Sequence, residues 1–436
     1  MSNKAIIVII VFLVLASLLW FSFALYTWFS KTQTNYRISS TGKIELVATS
    51  TDGELVTEGL LKSDFFSQPI SSSSTSVKID QLTVKAQGLV GPKGVAVIPD
   101  GRLLIIEKRG VVKLVGLDDK VNDIFTLTDV DSVGEAGLLG IALDPDFVTN
   151  RKIYLFYTYH SQGGELFNKV VSYDLVSEID RVASSSAATS TKLDKIFTPL
   201  VFVNDQIVID RIPAGYTNNG GTIAFGPDNN LWVLVGDVGR AILAQDNQSL
   251  AGKILRVTNK GQVPADNPNK GSFIYASGLR QPTGITWTKT NQSVTGLVSE
   301  VGTNNNDEVN RLTPGSNYGW PVAGGCLSGD GRFSDPIICS GTKTWGPTGL
   351  GVISASSASS SLVMSMAAGR ALIAFDLNRY LSATSSPVDF GTVLSGYGRW
   401  GGMLSLGDIL YAWTNNRDGQ NTFKTNDDQV IRIDLK

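Results

Sequence analysis

The sequence predicts an all-β protein, a six-bladed β-propeller preceded by an N-terminal transmembrane helix and a Ser/Thr-rich stalk. Three observations predict it: a strand-and-turn unit that recurs from residue 88 onward, 45 glycines spread among short β-branched segments, and one long apolar segment near the N terminus. Gly, Pro and Asp favour tight turns, and β-branched residues favour strands. We therefore expect an anchor at 1–30, a stalk at 31–82 and the propeller at 83–436.

The predicted anchor is the almost unbroken apolar segment 5–29. As a helix it would extend about 37 Å, enough to cross a hydrocarbon core of roughly 30 Å. Trp20, Tyr26 and Trp28 cluster near its distal end, where aromatic rings favour the membrane interface. A cleaved signal peptide is the alternative, but its apolar region is shorter and ends in small residues. We predict a single-pass anchor in the cell membrane with an extracytoplasmic body.

The segment that follows the anchor is rich in Ser and Thr, including SSSSTS at 71–76. Such composition is typical of a linker and not of a packed core. It predicts a stalk between the membrane and the propeller.

The recurring unit is a short apolar strand, a turn containing Pro, Asp or Gly, and a second apolar strand. Gly94–Val97 leads through Pro99-Asp100-Gly101 into Leu103–Glu107, and Gly140–Leu143 leads through a similar turn into Ile153–Tyr159. Further units begin at Thr222, Gly284, Gly349 and Met403. Six such units without amphipathic helices between them favour sheets arranged radially. A two-domain sandwich is the structural alternative, disfavoured because the turn signature stays the same throughout.

Charge and histidine content exclude several functional classes. The formal net charge is −2 with no basic block, so no nucleic-acid partner is expected. His160 is the single histidine, so a multi-histidine zinc site is excluded. A Ser-His-Asp site would also have to use His160.

The two cysteines, Cys326 and Cys339, lie in one loop-like stretch. Outside the cytoplasm a disulfide is the natural interpretation, with a metal pair as the alternative. Closing a loop this short would contribute about 3 kcal/mol by the chain-entropy estimate.

Five stretches resemble the glucose/sorbosone dehydrogenase family, whose members use pyrroloquinoline quinone (PQQ) and calcium. The resemblance extends from about residue 88 to 435 and follows the family's order. It implies a six-bladed propeller that oxidises a sugar by hydride transfer to PQQ. The stretches are GEAGLLGIALDPDF (134–147), GGTIAFGPDNNLWVLVGD (220–237), AGKILRV with VPADNP (251–268), SGLRQPTGITW (277–287) and DEVNRLTPGSNYGWP (307–321).

The resemblance implies a catalytic pair with one altered member. In the family, a histidine opening the sequence His-Asn-Gly-Gly takes a proton from the sugar, and Asn218 holds that position here. An amide does not accept a proton near neutral pH. Asp237 resembles the aspartate that orients the histidine, and Glu135 lies where a glutamine meets the substrate. Glu135 and Asp237 are both candidates for a substitute base.

PQQ carries three carboxylates, so its site requires fixed cations. The resemblance places Arg280, Gln281 and Arg399 at the cofactor. Gly401 replaces the second member of an Arg-x-Arg pair, and the lysine expected near Ala367 is absent. The cationic clamp is therefore expected to be incomplete.

The resemblance also implies two calcium sites. Gly302 and Thr303 lie in the loop whose carbonyls hold the quinone's calcium in relatives. Glu308 and Tyr318 match residues of a second, structural calcium site, and oxygen ligands suit this hard cation.

Three functions follow as expectations. The first is a membrane-tethered sugar dehydrogenase with PQQ and calcium. The second is a non-catalytic propeller that binds a glycan or protein through its axial pocket, because one fold hosts many functions. The third is lactone hydrolysis by a metal-bound water near Glu135 or Asp237.

Overall fold

The structure is a computed structural model that divides into two units, residues 1–69 and 70–436. The described residues of the first unit form an antiparallel hairpin of β1 (Asn35–Ile38) and β2 (Ile44–Val47). Among the described residues, no helix combines the length and apolarity needed to span a bilayer. The predicted anchor and most of the predicted stalk lie outside the described residues, which are 35–38, 44–47, 77–177, 199–290, 293–303, 306–326, 329–341, 343–356, 359–382, 388–417 and 427–436.

The second unit is a six-bladed propeller, as predicted. Its six sheets each contain four antiparallel strands: β4–β7, β8–β11, β12–β15, β16–β19, β20–β23, and β24–β26 with β3. The strands are β3 (Ile79–Gln87), β4 (Pro92–Val97), β5 (Leu103–Glu107), β6 (Val111–Val115), β7 (Val121–Thr126), β8 (Leu138–Leu143), β9 (Lys152–His160), β10 (Leu166–Ser177), β11 (Leu200–Pro213), β12 (Gly220–Phe225), β13 (Leu231–Val235), β14 (Lys253–Val257), β15 (Ile274–Ser277), β16 (Pro282–Thr290), β17 (Ser293–Glu300), β18 (Glu308–Leu312), β19 (Ile338–Cys339), β20 (Pro347–Ser356), β21 (Ser359–Met366), β22 (Ala371–Asp376), β23 (Gly391–Ser395), β24 (Trp400–Leu406), β25 (Ile409–Thr414) and β26 (Gln429–Leu435).

The described part of the propeller contains little helix. Short α-helices cover Phe147–Asn150 and Leu377–Ser382, and a 3-10 helix covers Ala241–Gln245. Cys326 and Cys339 form the predicted disulfide, with their Cα atoms 5.3 Å apart.

The ring closes through a strand from each end of the propeller sequence. Strand β3 pairs antiparallel with β26, with Gln87 opposite Gln429 and Leu82 opposite Ile433. Residues 79–82, which the sequence analysis assigned to the stalk, therefore belong to the last blade. Their assignment to the sheet depends on a partner more than 300 residues away, so no local pattern marks it.

Glycines explain how the innermost strands pack around the axis. A Cβ on Gly140 of β8 would overlap the carbonyl oxygen of Gly221 in the next blade. A Cβ on Gly349 of β20 would lie 2.7 Å from the backbone nitrogen of Met403. Adjacent inner strands therefore approach too closely for a side chain at these positions, which explains why glycine opens several of the repeated units.

The second and third strands of a blade lie between neighbouring blades and are the most buried. All five residues of β5, β13 and β14 are buried, whereas the outermost strand β7 has no fully buried residue. Tyr154 and Phe156 pack against Val233 and Leu255 of the following blade. Burial of every residue along a strand is typical of sheets covered on both faces, and in β14 it includes the charged Lys253 and Arg256.

Two cavities lie along the ring axis. The first, called here the site cavity, has a volume of about 580 Å³ and is lined by the first residues of the inner strands, the loops before them and the loops that follow the second strands. The second, called the distal cavity, has a volume of about 460 Å³ and is lined by later residues of the same strands.

Candidate functional site

The predicted site residues come from loops that lead directly into inner strands. Glu135 precedes β8, Asn218 precedes β12, Arg280 and Gln281 precede β16, and Arg399 precedes β24. Because these strands begin at the same end of the ring, their loops meet there. Glu135, Gln281 and Arg399 line the site cavity.

A hydrogen-bond network connects four of these residues. The backbone N–H of Asn218 donates to Glu135 Oε2 at 2.6 Å, and its side-chain Nδ2 donates to Asp237 Oδ1 at 2.9 Å. Gln281 Nε2 donates to Glu135 Oε2 at 3.2 Å. Asn218 has φ +52°, a left-handed conformation that asparagine tolerates better than most residues. The structure therefore brings Asn218, Asp237, Glu135 and Gln281 together.

Asp237 lies on the buried side of this network, with only 2% of its surface exposed. Besides the Asn218 amide, its Oδ1 accepts the Gly239 N–H at 2.9 Å. Its Oδ2 accepts the indole N–H of Trp320 at 2.9 Å. With donors on both oxygens, Asp237 is positioned to orient Asn218.

Glu135 lies on the cavity side of the same network and is exposed. Its Oε1 accepts no hydrogen bond from any residue that the structure describes, so this oxygen is open to a ligand. The Lys108 ammonium donates to the Gly134 carbonyl next to it. Burial lowers the pKa of Lys108, while the Glu135 carboxylate opposes that shift.

The site cavity carries more positive charge than the sequence motifs indicate. Four cationic side chains line it: Lys93, Lys108, Arg399 and Arg417. Ala367 and Gly401, where the resemblance leads us to expect a lysine and an arginine, also line it. These two positions lack a cation, but Lys93, Lys108 and Arg417 bring positive charge to the cavity from other strands. Sequence reasoning missed Lys93, Lys108 and Arg417 because isolated cations at strand ends give no local signal.

Arg280 faces a different, smaller cavity of about 20 Å³. Its Nη1 donates to the carbonyl oxygens of Val301 at 3.2 Å and Gly302 at 3.1 Å, and its backbone N–H donates to Glu300. The predicted cofactor ligand therefore stabilises the Val301–Gly302 loop in this structure. A calcium ion on the Gly302 carbonyl would have to compete with the guanidinium.

The small cavity also brings together the four predicted metal residues, Gly302, Thr303, Glu308 and Tyr318, and adds Glu300. A space of this size accommodates about one water-sized particle. The Tyr318 hydroxyl donates to the Arg311 carbonyl at 2.7 Å, so its proton is already engaged.

Glu300 and Glu308 form a buried carboxylate pair on neighbouring strands. Burial, reinforced by the charge of Glu308, raises the pKa of Glu300 well above its usual range. Burial also raises the pKa of Glu308 to about 7. Asn310 Nδ2 donates to Glu308 Oε2 at 3.1 Å, while its buried Oδ1 has no partner within the described part of the chain.

Two buried carboxylates suit a hard cation such as calcium, and the Asn310 amide turns its Nδ2 toward both of them. The described residues contain no cluster of three or more His, Cys, Asp or Glu side chains arranged to hold a metal. A calcium site here would therefore combine Glu300 and Glu308 with neutral oxygens. This donor set fits the predicted structural calcium better than the predicted quinone calcium, whose Gly302 carbonyl is occupied by Arg280.

His160 lies apart from this site. It ends β9, and its Nε2 lies 2.7 Å from Asp131 Oδ2. It is not among the described residues that line the site cavity.

Comparisons with known proteins identify the family. The family model for glucose/sorbosone dehydrogenases matches residues 89–335, which is more than half of the chain. The chain belongs to this family, which confirms the resemblance inferred from the sequence.

Several similar proteins are described as sugar dehydrogenases. A structure of the PQQ-bound form of aldose sugar dehydrogenase from Streptomyces coelicolor has 31% identity and a TM-score of 0.69, covering 83% of this chain and 98% of that one. Quinoprotein glucose dehydrogenase B of Acinetobacter calcoaceticus is 29% identical over 52% of this chain and 49% of its own length. An aldose sugar dehydrogenase of Escherichia coli is 27% identical over 60% of this chain and 68% of its own length. The chain thus spans about half the length of glucose dehydrogenase B.

Proposed function

We propose that the protein is a membrane-anchored, extracytoplasmic quinoprotein sugar dehydrogenase that oxidises an aldose or similar sugar with PQQ as oxidant. The observation that carries this proposal is the site cavity of about 580 Å³, where Lys93, Lys108, Arg399 and Arg417 accompany Glu135, the one carboxylate among the described lining residues. The relatives described as quinoprotein or PQQ-bound sugar dehydrogenases support it.

The residues of the site cavity fit a tricarboxylate cofactor. Charge-assisted hydrogen bonds from lysine and arginine are the strongest interactions available to carboxylates. Arg399 and Arg417 approach from the last blade, and Lys93 and Lys108 from the first, so together they would hold the carboxylates of PQQ. When bound, PQQ supplies an ortho-quinone that accepts two electrons from the substrate. The small residues Ala367, Ala368 and Gly401 also line the cavity and leave room in it for a ligand.

Calcium would be held beside this cavity by Glu300 and Glu308, together with neutral oxygens that line the small cavity. Val301 lines the site cavity, and the next residue, Gly302, lines the small cavity. A cation at the carboxylate pair would therefore stiffen the loop that forms part of the cofactor wall. This role is structural, and substrate oxidation would not pass through it.

Two features support the proposed membrane anchor and the proposed extracytoplasmic location. The apolar segment 5–29 has the length of a membrane-spanning helix. The Cys326–Cys339 disulfide is typical of oxidising compartments. Protease treatment of intact cells tests this part: the propeller should be degraded from outside, and its complete protection would contradict the proposed orientation.

The direct test of the activity uses the full chain in detergent with calcium. We expect PQQ to bind with one-to-one stoichiometry in a fluorescence titration, and a panel of aldoses to drive dye reduction. Absence of PQQ binding would contradict the proposal.

A second candidate, a non-catalytic propeller that binds a glycan or protein, is favoured by one observation. Asn218 occupies the position where the family pattern has its proton-accepting histidine. The variant Asn218→His separates the two candidates. Sugar oxidation that appears only in this variant would favour the non-catalytic candidate, whereas activity of the unmodified chain would favour the dehydrogenase.

A further inference from the structure

We propose that Glu135 is the catalytic proton acceptor of this site, with Asn218 as a positioning residue. This inference rests on the proposed sugar dehydrogenase function and names the group that performs its proton transfer.

Oxidation of a sugar hydroxyl requires a proton acceptor. The substrate O–H bond breaks and its proton moves to the base, while the adjacent C–H bond breaks and a hydride moves to the ortho-quinone oxidant. A C=O bond forms, so the sugar loses two electrons and the quinone gains them. The base must reach the hydroxyl oxygen directly, at about 2.6–3.2 Å, or through one water.

Among the described residues that line the site cavity, one titratable group has the chemistry of a neutral-pH base. The other four are the cations Lys93, Lys108, Arg399 and Arg417. Ammonium and guanidinium groups have no acceptor lone pair while they are protonated, whereas an ionised carboxylate accepts a proton. Glu135 is therefore the candidate that both lines the cavity and carries the required lone pairs.

The neighbouring candidates fail for separate reasons. Asp237 is buried, does not line the cavity, and accepts three hydrogen bonds from Asn218, Gly239 and Trp320. Its burial therefore keeps its oxygens away from a hydroxyl bound in the site cavity. The Asn218 amide is neutral and its Nδ2 already donates to Asp237.

The geometry fixes one oxygen of Glu135 and leaves the other open. Oε2 accepts the Asn218 N–H at 2.6 Å and the Gln281 amide at 3.2 Å. Oε1 accepts nothing from the residues that the structure describes. A carboxylate held on one oxygen and open on the other is oriented for proton transfer without a search through rotamers.

The loop that carries Glu135 is also fixed. The Glu135 N–H donates to the Tyr216 carbonyl at 2.8 Å. Gly134 has φ +58°, and a Cβ there would overlap the same carbonyl, so only glycine fits. Lys108 donates a hydrogen bond to the Gly134 carbonyl and so holds this loop from a second direction.

The test compares Glu135→Gln with the matched control Glu165→Gln, an exposed glutamate in the turn between β9 and β10. The amide introduced by Glu135→Gln would keep an oxygen for the Asn218 N–H but lose the basic lone pair. Proteins loaded with PQQ and calcium are mixed with glucose, and the single-turnover rate of quinone reduction is followed across pH. We expect Glu135→Gln to lower the rate at least 100-fold and to abolish the acidic limb of the pH profile, while the control matches the unmodified chain.

A second readout does not depend on turnover. A sugar carrying an amine in place of the reactive hydroxyl is titrated by calorimetry into the quinone-free chain. Its ammonium should pair with Glu135, so Glu135→Gln should weaken binding at least tenfold and Glu165→Gln should not. The variant Glu135→Asp should keep the acidic limb at a lower rate.

The outcomes distinguish a failure of the proposed function from a failure of the assignment of Glu135 as the base. If the unmodified chain binds no PQQ, the proposed function fails and this assignment falls with it. If PQQ binds equally to all variants but Glu135→Gln keeps its rate and pH profile, Glu135 is not the base and the proposed function stands. Unchanged binding of the amino sugar to Glu135→Gln would also overturn the assignment.

Discussion

The two axial cavities are lined by the same six inner strands but differ in chemistry. At the site cavity, Glu135, Gln281 and Arg399 come from the loops just before the strands. At the distal cavity, later residues such as Ile223 and Phe225 are apolar. The strand bodies are constrained by packing between blades, whereas the loops are free to vary. The strand bodies therefore provide stability, and the loops at one end of the ring, before the first strands and after the second strands of the blades, provide the chemistry.

The largest loss of stability is expected from a substitution where neighbouring inner strands touch. Gly140→Val places a branched side chain against the Gly221 carbonyl of the neighbouring blade, so the strands must separate. We expect the free energy of unfolding in urea to fall by more than about 3 kcal/mol. Gly331→Ala, which introduces a Cβ with nothing within 4 Å, is the control and should change it by less than about 0.5 kcal/mol. Equal stability of both variants would show that close strand contact does not hold the ring together.

The acidic pair beside the site cavity should make stability depend on pH and calcium. The folded pKa of Glu308 is about 7, above its ordinary value of 4.5, so the folded state binds the proton more tightly. Its stabilising contribution is complete below the unfolded pKa and is lost as pH rises to the folded pKa, a change of about 3 kcal/mol. In EDTA, we expect the melting temperature to fall between pH 4.5 and about 7.

Calcium should restore the stability that is lost as pH rises, because a bound cation favours both carboxylates in their ionised form. Glu308→Gln is the control: it should flatten the pH dependence in EDTA and weaken the response to calcium. A melting temperature that ignores calcium at pH 7.5 would argue against a cation at this pair.

The cations of the site cavity should govern cofactor affinity. We expect the double variant Lys108→Gln and Arg399→Gln to bind PQQ about 100-fold more weakly, a loss of about 2.7 kcal/mol. Leu406→Ser, an exposed residue at the distal cavity, serves as the control and should leave the affinity unchanged. Fluorescence titration measures both. A similar loss in the two proteins would remove the distinction between the cavities.

The smallest change in stability and in PQQ affinity is expected from a substitution of Trp413, which lines the distal cavity. Its indole N–H is buried and has no partner among the described residues. Trp413→Phe removes this unsatisfied donor together with some packing, and the two effects oppose each other. Stability should change by no more than about 1 kcal/mol in urea, with PQQ affinity unaltered. A large loss in either quantity would show that the distal cavity carries a function.

Much of the fold could be predicted because the determining signals are local. The turn after Val97 and the turn after Leu143 repeat the same chemistry, and repetition of one unit specifies a ring. The closing strand Ile79–Gln87 could not be predicted, since its partner Gln429–Leu435 lies at the far end of the sequence. Strand pairing over such a distance leaves no mark in either segment alone.

The site was predicted in part, for a similar reason. Motif resemblance identified Asn218, Asp237 and Glu135, which the structure connects by hydrogen bonds. Their chemical roles remain predictions. Lys93 and Arg417 could not be found, because each is an ordinary cation in its own segment and reaches the cavity only after the ring closes.

The pairing of β3 with β26 also has a consequence for biosynthesis. A ribosome synthesises β3 more than 300 residues before β26, so the last blade stays incomplete while that stretch is translated. The loops that carry Glu135 and Arg417 lie far apart in that intermediate and become neighbours only at closure. A stop codon between Arg417 and β26 would therefore remove the strand that closes the ring, and with it the closed site cavity, even though the lining residues had been translated.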